Sequence, residues 1–188
     1  MLKSCIAGVS ALLFLASGAL AADKPLTEDQ AKRFVETLEA VEELGKEFET
    51  EGKMEEFRLA TTPVAGEAFK PYSGAVASLK ENHPGDHARL EKAVKPHGFS
   101  ADEWAGVGDR IMVAYLAVKM EEENPQAMAQ MASMDKSMLD MMPPDMQAQM
   151  AQALAMVETI KNATPEDKAA VASVREDLDA YMEKQAQL

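Results

Sequence analysis

An all-α fold is what this sequence predicts: a single-domain bundle of roughly five to seven helices packed around a buried central helix. Three observations lead there. Apolar residues recur at helical spacing along much of the 188-residue chain. The segments that carry them open on capping residues and close on proline or glycine. No strand-rich region interrupts them.

The central helix is expected between Phe99 and Asn124, a stretch that holds the only tryptophan, Trp104. Ser100 followed by Glu103 spells a capping box, and Phe99 and Trp104 are placed to form the hydrophobic staple that fixes the approach of the chain. Trp104, Val107, Ile111, Ala114, Tyr115 and Val118 repeat at helical spacing. No charge occurs from Ile111 to Val118, so the second half is apolar all round and belongs inside a bundle. Pro125 disfavours helix at the residue before it and ends the element near Asn124. Asp109 and Arg110 lie in the first half, where the pattern puts them at a solvated edge.

Taken in order, Met1 to Ala21 reads as a cleaved signal peptide. Lys3 supplies the positive start, Ile6 to Leu15 the apolar run, and Ala19-Leu20-Ala21 the small residues before a mature start at Ala22. The run is shorter than the ~20 residues that span a bilayer, so no stable membrane anchor is expected after cleavage. The domain then covers residues 22–188. Its location is expected to be periplasmic or secreted.

Cys5, the only cysteine, falls within the signal. The mature chain therefore excludes disulfides, zinc-thiolate sites, c-type haem attachment and thiol nucleophiles. The whole chain has 19 basic and 32 acidic residues, a net charge of −13. Such a field argues against nucleic acid and anionic lipid as partners. Its plainest physical consequence is solubility.

Thr27 and Gln30 form the capping box of the first helix, with Phe34, Val35, Leu38, Val41, Leu44 and Phe48 as its apolar stripe and glutamates opposite. Gly52 weakens it near the end, and Met54, Phe57 and Leu59 suggest a further turn or two before a connector with Pro63 and Gly66. Leu26-Thr27-Glu28-Asp29-Gln30 also spells LTxxQ. In this it resembles the periplasmic stress chaperones of the Spy and CpxP type, small cysteine-poor helical proteins with a secretory signal. The resemblance covers five residues and implies an exported, non-enzymatic helical protein that holds other proteins. The second copy that is usual in that family is absent; Thr164-Pro165-Glu166-Asp167-Lys168 lacks both the leucine and the glutamine.

A short helix should follow, with Pro71 in its first turn and Tyr72, Val76 and Leu79 inward. Asn82-His83-Pro84-Gly85-Asp86 reads as a turn. Another short helix carries Leu90 and Val94, and Gly98 suits a left-handed cap after it. All three histidines, His83, His87 and His97, fall in this region. His83 and His87 have the spacing of a metal-binding pair on one helix face. Pro84-Gly85 between them places His83 outside the helix, so the expectation is turn and helix-end histidines.

Nine of the 14 methionines lie between 128 and 156, which makes the segment after Pro125 the chemically distinctive one. Helix is expected from Pro125 to about Met142. At ~100° per residue, Met128, Met131, Met134, Met138, Met141 and Met142 share an arc of roughly 140°. Pro143-Pro144-Asp145 turns a corner. A second helix then brings Met146, Met150, Ala153, Leu154, Val157 and Ile160 inward, closing a helical hairpin over residues 125–162. Three readings fit this face: core packing, an adaptable surface for protein or peptide clients, or Cu(I)/Ag(I) binding by thioethers. The metal reading would use Met128, Met131, Met134 and Met138, with copper as the cofactor. The binding reading would use those together with Met141, Met142, Met146 and Met150. A haem ligated by one Met and one His is a third class. The last helix is capped by Thr164, with Pro165 first and Val171, Val174, Leu178 and Tyr181 inward.

No Ser/His/Asp arrangement and no glycine-rich phosphate loop occurs, so no catalytic residue is nominated. The expectation is a non-enzymatic binding protein, with a copper or silver carrier as the alternative.

Overall fold

A computed structural model of the chain describes residues 24–53, 61–62, 67–123, 125–126 and 143–187. The expected signal peptide, Met54, Phe57 and Leu59, and the methionines from Met128 to Met142 lie outside these residues. The fold is all-α. Seven α-helices occur among the described residues: α1 (Glu28–Thr50), α2 (Pro71–Asn82), α3 (Pro84–Val94), α4 (Ala101–Glu123), α5 (Pro144–Lys161), α6 (Pro165–Ala172) and α7 (Arg175–Gln185). The 3-10 turn Lys95–His97 links α3 to α4.

The expected caps form. Thr27 and Gln30 close a full capping box on α1. At α4, the Glu103 amide donates to Ser100 Oγ at 3.2 Å and the Ser100 amide donates to Glu103 Oε2 at 3.0 Å. Thr164 Oγ1 accepts from the Asp167 amide at the start of α6. Gly52 and Gly98 take positive φ, 74° and 77°, just past the end of α1 and of the 3-10 turn.

Helix α4 lies at the centre and packs against α1, α2, α3, α5 and α6. Phe34 stacks on Trp104 with ring centroids 5.4 Å apart, and Tyr72 meets both rings edge-on. This ties α1, α2 and α4 together through one aromatic cluster. Gly108 permits the approach: a Cβ there would sit 2.8 Å from Phe34 Cε2 and 2.8 Å from Tyr72 Cγ. The Trp104 indole N–H donates to Thr37 Oγ1 at 2.7 Å, and that hydroxyl donates to the Phe34 carbonyl. Both side chains are buried, and neither polar group lacks a partner.

Three expectations are corrected. Asp109 and Arg110 do not sit at a solvated edge. Asp109 is buried and accepts from the Tyr72 amide (2.8 Å), the Ser73 amide (3.3 Å) and the Ser73 hydroxyl. It thus caps α2, whose own N-cap residue Lys70 provides no side-chain bond. Arg110 reaches buried Asp167 on α6 with two nitrogens and also the Lys24 carbonyl, while the Leu26 amide donates to Asp167 Oδ1 at 2.9 Å. That cluster fastens the N-terminal segment of the domain to α4 and α6. A sequence of alternating turns cannot reveal which neighbour supplies such partners.

The last helix is two. Ser173 Oγ returns to the Ala170 carbonyl and the Val174 amide to the Val171 carbonyl, tightening the final turn of α6 before α7 restarts at Arg175. Val171, Val174 and Leu178 are still buried, as their spacing requires. The expected turn at Asn82–Asp86 contracts to His83 alone, because Pro84 starts α3 directly.

Candidate functional site

Two of the helical stripes are only partly buried. On α1, Phe34 and Leu38 are buried, whereas Val41 and Leu44, one and two turns on, are only half-buried. Tyr72 and Ala75 on α2 are half-buried too. These residues, with Gly45 and Phe48 of α1, Val76 and Leu79 of α2, Leu90 of α3, Met112 and Leu116 of α4 and Met156 of α5, line an open cavity of about 590 Å³. Thr61, Phe69, Pro71 and Trp104 complete its described walls. The size falls within the roughly 300–1,000 Å³ of small-molecule sites.

The described walls carry no Asp, Glu, Lys, Arg or His side chain. Of their polar groups, the Trp104 N–H is held by Thr37. The Tyr72 phenol is kept protonated, since burial pushes its pKa up strongly and nearby Tyr181 and Asp109 add to the shift. Charge stands beside one wall residue, Phe48. Lys53 lies 5.8 Å and Arg89 5.5 Å from the Phe48 ring centroid. Both cations are already engaged. Lys53 pairs with Asp86 and Glu51, and Arg89 pairs with Asp86, Glu47 and Glu51. The arrangement can take up apolar matter, and its described walls place no nucleophile beside a base.

Of the methionines expected to form a binding face, Met146 and Met150 fall within the described residues. Met146 is 54% exposed, against the expectation that it points inward. Its helix is buried at Ala155, Val157 and Ile160, toward its C-terminal end, and Met150 is half-buried. Helix α5 lies chiefly against α4, and the Phe69 amide donates to Thr159 Oγ1 at 3.1 Å. Met156, not nominated as a site residue, faces the cavity together with Met112. His83 stands outside α3 at its N-cap, so His83 and His87 do not form a pair on one helix. His97 Nδ1 is 3.3 Å from Glu36 Oε2. Among the described residues no group of three or more His, Cys, Asp or Glu side chains could hold a metal ion, and no helix is long and apolar enough to cross a membrane.

The sequence treats the cavity residues as core, because a stripe that lines a cavity has the same spacing as one that packs. The one local signal is Gly45, a residue without a side chain in the middle of an apolar stripe. Comparison with known protein families, curated proteins and solved structures finds no match to this chain.

Proposed function

We propose that this chain is an exported, non-enzymatic helical protein that binds apolar segments of proteins or peptides, in the manner of a holding chaperone. The observation that carries the reading is the 590 Å³ cavity, whose described walls are uncharged and include Met112 and Met156, on a chain that also has a methionine-rich stretch of sequence. Unbranched thioether side chains re-pack around occupants of different shape, which suits a site that accepts varied clients. The acidic balance of the chain keeps such a protein soluble while apolar surface is on offer.

The test is aggregation of an unfolding client, followed by light scattering with and without the mature chain. The wild type should suppress scattering for several unrelated clients. Met131, Met134 and Met138 replaced together by leucine keep the apolar volume but stiffen it, and should narrow that range. Suppression of no client at all would sink the proposal. Tight Cu(I) binding that disappears in the same variant would put thioether metal binding first.

A further inference from the structure

Resting on the reading of the cavity as a binding site, we propose that its small-molecule ligand is a single-chain amphiphile that enters at the α5 end with its hydrocarbon tail directed toward α3. The burial of the wall gives that direction. Phe48, Val76, Leu79, Leu90 and Trp104 are buried. They gather at one end: Arg89 of α3 lies over the Phe48 ring, and Lys80, late in α2, pairs with Asp102 at the start of α4. Phe69, Pro71, Met112, Leu116 and Met156 are half-buried. They gather at the other: the Phe69 amide donates to Thr159 of α5, and the Tyr72 amide donates to Asp109, three residues before Met112. Among the described residues the cavity is therefore closed toward α3 and open toward α5.

The wall runs along α4 from Trp104 to Leu116, about 18 Å at 1.5 Å per residue. That length suits an extended chain, and each methylene drawn in exchanges water for a predominantly apolar described wall. Met112 and Met156, toward the open end, adjust to chains of different shape. The polar head stays at that end, where Glu67, Lys70 and Glu158 are exposed. Gly45 gives the means of testing the space itself. It lies within α1 on the cavity wall, and a Cβ built there meets no described atom within 4 Å. Gly45→Leu therefore adds a good helix former whose side chain can grow into the cavity.

Trp104 is the only tryptophan of the chain and belongs to the closed end, so its emission reports what reaches that end. The experiment titrates the mature chain with 1-hexanol, 1-octanol and 1-decanol. Each should change the Trp104 emission saturably, with Kd falling about fourfold per added methylene. Among brominated chains, 10-bromo-1-decanol carries the quenching atom on its tail and 2-bromo-1-decanol carries it beside the head. The first should quench Trp104 several-fold more than the second at saturation. Gly45→Leu should raise the Kd for 1-decanol at least tenfold with unchanged helical circular dichroism. Absence of a saturable change in the wild type overturns the inference. So does a Kd independent of chain length, equal quenching by the two bromoalcohols, or a folded Gly45→Leu variant with unchanged affinity. Client suppression by a wild type that binds none of the alcohols removes the small ligand and spares the chaperone-like function. Chain-length-dependent alcohol binding without client suppression does the reverse.

Discussion

The two sides of α4 are built differently. Toward α1, α2 and α6 it presents Trp104, Gly108, Asp109 and Arg110, and each junction has a directional contact. The indole bonds to Thr37, the Asp109 carboxylate caps α2, and Arg110 clasps Asp167. Where it approaches α5, Met112 and Leu116 share the cavity wall with Met156 of that helix, which buries Ala155, Val157 and Ile160. Ala155, Val157 and Ile160 are buried but stand outside the main core cluster. Satisfied polar networks and interlocked aromatic rings specify one arrangement. Methionine and alanine fill space without dictating a unique fit. The difference assigns uniqueness to one side and adaptability to the other, and the cavity lies along the boundary.

The sharpest way to break this comparison is Trp104→Ala. It removes the centre of the aromatic cluster and leaves Thr37 without its donor, and it should cost about 3–5 kcal/mol in urea unfolding. A loss below about 1 kcal/mol would mean that the specified side is not where the stability resides. Next comes Asp167→Ala, which strands the Arg110 guanidinium and the Leu26 amide. Arg110 keeps some access to water, so about 2–4 kcal/mol is expected rather than the full cost of a deeply buried charge. Proteolysis near Lys24 should accelerate in the same variant, as the N-terminal segment loses its hold.

On the adaptable side, Met150→Leu with Met156→Leu should change stability by less than about 1.5 kcal/mol per site. A larger loss, measured by the same urea titration, would show that α5 is as tightly specified as α1. The smallest effect is expected from Asp109→Asn, and its sign is informative. Burial raises the Asp109 pKa above its ordinary value, outweighing the bonds from Ser73 and Tyr72 that lower it. A carboxyl raised on folding contributes stability that is present at pH values below its unfolded pKa and is lost as pH rises through the folded one. Asparagine keeps an acceptor for the Tyr72 amide and cannot ionise. The variant should therefore gain on the wild type as pH rises from about 3 to 7, by urea midpoints measured at each pH. A gap that widens in favour of the wild type would show that the α2 cap needs the charge.

The sequence by itself determined the fold class, the central helix, most helix starts and most of the inward residues. The physical reason is that caps, proline positions and apolar spacing act within a few residues of one another. Thr27 with Gln30, Ser100 with Glu103, Pro71 and Gly98 all work locally and were legible for that reason. Tertiary structure alone decided the destinations of Asp109 and Arg110, the break after Ala172 and the outward turn of Met146. Each depends on a group far along the chain or on where a neighbouring helix ends. It also decided that Val41, Leu44 and Tyr72 border a cavity while Phe34 and Leu38 fill the core. Spacing fixes which face of a helix is apolar; whether that face meets a neighbour or an opening depends on how the other helices cross it.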